Sequence, residues 1–253
     1  MAVRGRPAGS YGIDAAWVPW MWVGYTILYG LLALGSFAWW DNPWWLGVLF
    51  VLIAATCAAG AALYWYVTLR GKFLAWATLL DDVALGDGEL ALDLGCGHGA
   101  VAIEVARRNP GTVVNGIDLW RSIDQSGNSP EAFLRNADLN GVRDRITVAT
   151  GDMTRLPYGE DVFALVTASL AIHNIPTAAG RREAVAEAWR VLRPGGTLLV
   201  TDIRRTAEYA SVLRDAGADV ASPVSLGWRM WWSGPWMKTR RLTAVKPHPT
   251  TVR

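Results

Sequence analysis

The sequence predicts an α/β domain with a mostly parallel sheet closed by a terminal antiparallel hairpin, preceded by a two-helix hairpin suited to a membrane. Three observations carry this. Two long stretches near the start hold no charge, the remainder alternates apolar runs with amphipathic ones, and a glycine-punctuated turn follows the first of those apolar runs. The 253 residues include 15 Trp and are 18% charged, against about 25% in an ordinary soluble domain. The deficit is local: before Arg70 the only charged residues are Arg4, Arg6, Asp14 and Asp41. This excludes a wholly soluble single domain, a disordered chain and a disulfide scaffold. The net charge of +2 and the absence of a basic run give no support to nucleic-acid binding. Cys57 and Cys96 stand in an apolar run and a glycine turn, and no spacing of metal ligands is present.

Residues 1–14 read as an N-terminal segment and residues 15–70 as a transmembrane helical hairpin. Ala15 to Trp40 and Pro43 to Leu69 are uncharged, and each exceeds the roughly 20 apolar residues that span a bilayer. Asp41-Asn42-Pro43 is a turn signal between them. Trp17, Trp20 and Trp22, then Trp39, Trp40, Trp44 and Trp45, then Tyr64, Trp65 and Tyr66 mark the ends as interfacial aromatics do. Arg4, Arg6, Arg70 and Lys72 flank the pair, and the turn has no Lys or Arg. The positive-inside rule then places both termini and the following domain in the cytoplasm of an integral membrane protein. The excess of Arg over Lys, with much Ala and Gly, points to a GC-rich bacterial source. Gly24, Gly30, Gly35, Gly47 and Gly60 would let helices approach closely, within the hairpin or in a homo-oligomer.

Residues 71–246 read as the soluble domain. Lys72–Leu85 is a helix ending at Gly86-Asp87-Gly88. Glu89–Leu94 is a buried strand, Ala100–Arg108 a helix, and Thr112–Asp118 a strand. Pro130–Leu139 is a helix with Pro in its first turn after a Ser129 cap. Arg145–Thr150 and Val162–Ser169 are strands. Ala178–Leu192 is a helix stopped by Arg193-Pro194-Gly195-Gly196, followed by a strand over Thr197–Ile203 and a helix over Ala207–Ala216. Ser225–Trp232 and Lys238–Val245 read as a terminal hairpin around Ser233-Gly234-Pro235. Alternation there puts Trp228, Met230 and Trp232 on one face, with Arg229, Lys238, Arg240 and Arg241 suited to anionic headgroups. Residues 247–253 read as a loose tail.

Such sheets bind ligands beyond the carboxyl ends of their strands. Asp93-Leu94-Gly95-Cys96-Gly97-His98-Gly99 lies there and opens a helix whose N-terminus offers free N–H groups. Gly95-x-Gly97-x-x-Ala100 also fits a dinucleotide fingerprint, and Asp118 is placed for a ribose diol in either case. Asp93 argues for a cationic ligand, since a carboxylate beside the turn repels a pyrophosphate.

Asp93 to Gly99, Gly116-Ile-Asp118, Gly151-Asp152-Met153, Leu156-Pro157 and Leu192-Arg-Pro-Gly-Gly196 stand in one order. In that order the chain from Lys72 to Val245 resembles the class I S-adenosylmethionine-dependent methyltransferases, in their quinone-biosynthesis and small-molecule branch. The resemblance leaves out the membrane hairpin. It implies a Rossmann-like sheet of seven strands and S-adenosylmethionine as methyl donor. Asp93, Gly95, Gly97 and Gly99 would hold the methionine and sulfonium end. Asp118, with Leu119, would meet the ribose, Asp152 and Met153 the adenine, and Ser169 and Leu170 the methyl donor. For Asp118 or Asp152 taken singly, turn capping explains an Asp equally well.

A sulfonium methyl needs alignment, and a base only where the acceptor is protonated. His173, just past the fourth strand, is the candidate base, with packing of a loop as its alternative reading. His98 and His248 are poorly placed for that role. The loop Leu119–Ser129 departs from the family pattern and would lie over the cleft. Its Trp120 and Arg121 are candidate acceptor contacts, with Trp228 and Trp232, and its Asp124 a candidate catalytic residue. The expected partner is the bilayer and the expected acceptor a lipophilic small molecule or lipid. A soluble acceptor, or a cofactor-binding module without turnover, are the alternatives.

Overall fold

The computed structural model describes residues 6–248. Helices α1 (Trp17–Ala38) and α2 (Trp44–Tyr66) form an antiparallel hairpin. Its turn is closed by the Trp39 and Trp40 amides donating to the Gly35 carbonyl and by Ser36 Oγ donating to Asn42 at 2.8 Å. Ile27, Leu31, Leu34, Phe37 and Leu52 are more than half exposed on its surface. Both helices are long and apolar enough to cross a membrane.

The second helix does not stop at the domain border. It passes through a π-helical turn (Val67–Gly71) into α3 (Lys72–Leu79), giving one run of 36 residues. The sequence reading of a separate helix over Lys72–Leu85 is corrected at both ends. A side chain at Gly71 would collide with the Arg229 carbonyl, so glycine is what lets the terminal segment lie against the turn.

The sheet comprises β1 (Leu90–Leu94), β2 (Val113–Asp118), β3 (Ile146–Thr150), β4 (Phe163–Ser169), β5 (Leu192–Asp202), β6 (Val224–Ser225) and β7 (Arg240–Val245). Their order is β3-β2-β1-β4-β5-β7-β6, with the first five parallel and β7 antiparallel to both neighbours. Strand order reverses between β1 and β4, the position at which such sheets open a ligand crevice. Helices α4 (Ala100–Arg108) and α5 (Pro130–Leu139) pack with α3 on one face, where Phe73, Trp76, Ile103 and Phe133 are buried. Helices α6 (Ala178–Val191) and α7 (Thr206–Asp215) cover the other, around Val185, Trp189, Tyr209 and Leu213. Ser129 caps α5 by accepting from the Ala132 amide, and Thr177 caps α6 by accepting from that of Gly180.

Two further corrections fall in the C-terminal half. β5 already begins at Leu192, so Arg193-Pro194-Gly195-Gly196 belongs to the strand, with a register shift opposite Phe163 and Leu165. The terminal hairpin is also shorter than the alternation implied. β6 has two residues, and the chain then folds into two 3-10 turns, Trp228–Met230 and Pro235–Met237, joined by a bridge between Trp231 and Lys238. Gly227, Ser233 and Gly234 have positive φ and break the extended run. Met230 and Trp232 therefore turn inward, joining Val18, Tyr64 and Val67 in a third core at the foot of the helical hairpin. Trp228 points out, 55% exposed, and stacks on Tyr66 at 5.4 Å. Part of the expected loose tail, 249–253, lies outside the described residues, as does Arg4.

Candidate functional site

β1 delivers Asp93 and the glycine turn to the crevice. Asp93 is buried and accepts from Thr167 Oγ1 at 2.8 Å and from the Ala102 amide, in the first turn of α4, at 3.2 Å. Burial pushes its carboxyl up to about 7, against those hydrogen bonds, and the nearby Asp118 adds to the rise. A cation bound beside Asp93 would offset the cost of ionising it there. Gly95 and Gly97 have φ of 66° and 50°. A side chain at Gly95 would meet Ala171, and one at Gly97 would meet Gln125, so both positions leave room for a ligand only as glycine. At the end of β2, Asp118 accepts from the Gly97 amide at 2.8 Å, the Trp120 amide at 2.6 Å and Asn128 Nδ2 at 3.2 Å. These contacts hold its carboxylate over the glycine turn. Asp152, past β3, accepts from the Thr154 amide at 2.9 Å.

Across the crevice, β4 ends at Ser169, whose hydroxyl accepts from Trp76 Nε1 at 2.8 Å. His173 follows, in a short 3-10 turn, with Nδ1 2.6 Å from Asp202 Oδ1. Asp202 is buried at the end of β5, and its Oδ2 accepts from the His173 amide and the Tyr209 hydroxyl, each at 3.1 Å. Burial, then the Asp202 charge, pushes the Tyr209 hydroxyl well up, so it stays a donor. This leaves Nε2 as the imidazole nitrogen that Asp202 does not engage.

The two sides share one cavity of about 580 Å³, within the roughly 300–1,000 Å³ usual for ligand sites. Asp93, Gly95, Gly97, Asp118, Leu119, Asp152, Met153, Ser169 and Leu170 line it, and so do Arg121, Asp124, His173 and Trp232. Burial raises the Asp124 carboxyl, and Arg121 opposes this. Three of the sequence-derived candidates are not on its wall. Gly99 caps α4 at φ 83°, where a side chain would strike Phe133. Trp120 turns aside because its indole donates to Thr150 Oγ1 at 2.9 Å. Trp228 is held away by its stack on Tyr66. Among the described residues no group of His, Cys, Asp and Glu is placed to hold a metal.

Sequence reasoning also missed the roof. Residues 6–16 cross the loop 120–128 as a strap. The Ser10 carbonyl lies 3.0 Å from His98 Nδ1 and accepts from Asn136 Nδ2 at 2.8 Å. The Ile13 amide donates to Ser126 Oγ and the Ala15 amide to the Asp124 carbonyl. Gln125 ties strap to turn, donating to the Tyr11 carbonyl and accepting from the His98 amide. Tyr11 is buried edge-on against Phe73. Asp14 ends the strap. Its Oδ2 accepts from Lys72 Nζ and Thr68 Oγ1, both at 2.6 Å, and its carbonyl accepts from the Tyr64 hydroxyl at 2.7 Å.

A parallel sheet reverses beside an acidic glycine turn, with Asp118 at the end of β2 and Asp152 just past β3. Residues 72–245 share the fold of S-adenosylmethionine-dependent methyltransferases of known structure. The family profile described as a methyltransferase domain matches residues 91–196. The ubiquinone/menaquinone biosynthesis C-methyltransferase of Paracoccus denitrificans is 35% identical over 128 residues, covering 50% of this chain and 48% of the relative. The 27-O-demethylrifamycin SV methyltransferase of Amycolatopsis mediterranei is 32% identical over 145 residues, covering 55% and 50%. The chain thus spans about half the length of the curated relatives it matches. Two solved structures share the fold. A methyltransferase of Aquifex aeolicus aligns with TM-score 0.54 at 15% identity, over 73% of this chain and 97% of that one. A geranyl diphosphate methyltransferase, in complex with its diphosphate and sinefungin, aligns with TM-score 0.53 at 16% identity, over 70% and 76%.

Proposed function

We propose that this chain transfers the methyl group of S-adenosylmethionine to an ionisable hydroxyl of a lipophilic acceptor at a membrane surface. The observation that carries the reading is the shared cavity. The Asp93–glycine–Asp118 cradle and His173, with Asp202 behind its ring, border the same space. S-adenosylmethionine supplies an activated methyl on a sulfonium, which leaves with its bonding electrons on sulfur as a neutral thioether. Asp93 complements the cationic donor. Asp118 and Asp152 take the ribose and adenine ends.

His173 Nε2 accepts the acceptor's hydroxyl proton as the new carbon–oxygen bond forms. Asp202 lies beside Nδ1 and would balance the imidazolium by its charge, and the Tyr209 hydroxyl donates to Asp202. General-base help of this kind contributes about 10²–10⁴-fold. Asp124, Arg121 and Trp232 border the same space and would shape the acceptor's head.

Support for the bilayer comes from the helical hairpin. Its exposed apolar rows exceed what a soluble surface carries, and the flanking Arg6, Arg70 and Lys72 favour a cytoplasmic domain. Trp228, 55% exposed with Arg229 over its ring, suits the headgroup layer.

Calorimetry with S-adenosylmethionine and with a nicotinamide dinucleotide tests the donor. Transfer of a labelled methyl group into a bacterial lipid extract tests the acceptor class. Binding of the dinucleotide alone overturns the reading. S-adenosylmethionine binding without transfer to any lipid or soluble acceptor would leave a cofactor-binding module.

A further inference from the structure

The cavity has a second limb that the methyl donor does not explain. Among its lining residues, Val18, Trp22, Tyr64, Ile203, Trp232 and Met237 belong to the apolar cluster at the foot of the helical hairpin. The Tyr64 hydroxyl donates to the Asp14 carbonyl and the Trp232 indole N–H to Thr239 Oγ1 at 3.0 Å, which leaves the Trp22 indole N–H, buried and without a partner, as the one polar tip among these six side chains. Apart from that N–H, these residues offer the limb hydrocarbon and aromatic surface. A water molecule needs two to four polar partners to settle in such a place, so the limb favours an apolar occupant. Leu170 joins the same cluster and also borders the cavity, one residue from Ser169 and three from His173. The limb is therefore continuous with the space that His173 borders.

We infer that this limb is the acceptor's entry from the bilayer, holding the single apolar chain of an amphiphile whose hydroxyl-bearing head reaches His173. The inference rests on the methyltransferase and membrane reading above and deepens it. One wall of the limb comes from the start of α1, through Val18, Met21 and Trp22. This is the end of the span, at headgroup depth if α1 crosses the bilayer. Trp17 and Ile123 border the cavity while 60% and 69% exposed, so the mouth is open and apolar there. Arg121 and Arg204 also border the cavity, and both are exposed. They set cations at the mouth, where lipid phosphates lie. An acceptor could then slide from the leaflet past Trp17 and Met21 without crossing water. α1 would be a specificity wall as well as an anchor.

The test uses the full chain in phosphatidylcholine nanodiscs with sinefungin bound. The probe is a 4-alkylcatechol carrying a photoreactive diazirine in mid-chain. After illumination, mass spectrometry should find adducts on the peptides holding Val18 to Trp22 and on those holding Ile203 or Met237. Met21→Trp and Met237→Trp, which fill the limb, should each lower these adducts about tenfold or more while sinefungin affinity stays within about twofold. Adducts confined to outward-facing Leu28, Leu31, Leu49 and Leu52, or undiminished in both filled variants, overturn the inference. If a filled variant loses sinefungin binding, the wild-type labelling pattern decides alone. Wild-type protein that binds no sinefungin would refute the methyltransferase reading itself. Protein that binds sinefungin and labels only its lipid-facing surface refutes the entry limb alone.

Discussion

Replacing Asp93 by Asn should stabilise the ligand-free domain increasingly as pH rises, and should weaken its hold on a sulfonium. The carboxyl moves from its ordinary value of 3.8 in the unfolded chain to about 7 in the fold, mainly through burial. Below about pH 4 it is protonated in both states and costs nothing. Between these values the folded state binds the extra proton, so stability falls as pH rises. Above 7 the full cost is present, on the order of 4 kcal/mol at roughly 1.36 kcal/mol per pH unit.

Asn carries no charge at any pH. It does disturb the Thr167 and Ala102 hydrogen bonds, a loss of about 1–2 kcal/mol that does not vary with pH. The difference between variant and wild type should therefore drift in the variant's favour by up to about 4 kcal/mol from about pH 4 to pH 8. At roughly 2–4 °C per kcal/mol for a domain of this size, thermal unfolding in detergent reads this as a relative shift on the order of 10 °C. A bound sulfonium works the other way, since its charge favours ionised Asp93. Wild-type affinity for S-adenosylmethionine should rise with pH up to about 7, and the variant's should stay flat. A stability difference that does not change with pH would refute the reasoning.

Three other perturbations follow from the same geometry. His173→Ala should lower kcat by about 10²–10⁴ with cofactor affinity unchanged. Asp202→Asn should lower kcat too, and calorimetry alongside steady-state kinetics checks both. Unchanged turnover in the His173 variant would remove it as the base. Gly97→Val forces a branched side chain into a left-handed conformation and against Gln125, and should cost at least about tenfold in cofactor affinity, read by titration. Asp14→Ala leaves Lys72, with a side chain 6% exposed, without its counter-ion. Breaking such a pair costs about 3–5 kcal/mol, so amide exchange at Ser10, Ile13 and Ala15 should accelerate, and adding Lys72→Met should restore much of the protection.

The sheet and the glycine turn were legible because each leaves a local mark. Buried parallel strands read as short apolar runs, and Gly95, Gly97 and Gly99 sit where one such run stops. The continuous helix from Trp44 to Leu79 was not legible, because Arg70 and Lys72 end the uncharged run and mimic a border. Nothing in the composition signals the π turn between them. The strap escaped for a different reason. Its amides bond to side chains more than 100 residues away, on Ser126, Asn136 and Asn140, and an irregular segment has no period to betray such partners. The Trp228–Trp232 face was misread because alternation assumes an unbroken strand, and Gly227 and Ser233 break it. Asp202 did carry a signal: a carboxylate at the end of an apolar run, level in the sheet with the end of β4. Only the fold brings it beneath His173.

These misread places are contiguous in space, and together they join the helical hairpin to the catalytic cleft. Thr68 and Lys72 lie four residues apart on the helix that continues α2, and both donate to the same oxygen of Asp14. One turn earlier Tyr64 holds the Asp14 carbonyl, and one turn later Trp76 holds Ser169 on the cavity wall. A single helix thus runs from an exposed apolar surface, through the anchor of the strap, to the floor of the site. The strap in turn reaches the glycine turn through His98 and Gln125. A flexible linker would let a domain sample many angles to a bilayer. Here the link is helical and its flank is packed by Val18, Met230 and Trp232, so the domain's angle to the hairpin is fixed. A fixed angle matters for an apolar limb bordered by α1, because it would keep the cavity mouth at one depth. Residues 6–70 accordingly pack into one body with the cleft, and cutting the chain at Arg70 would remove Tyr11 from its core, the counter-ion of Lys72 and one wall of the cavity.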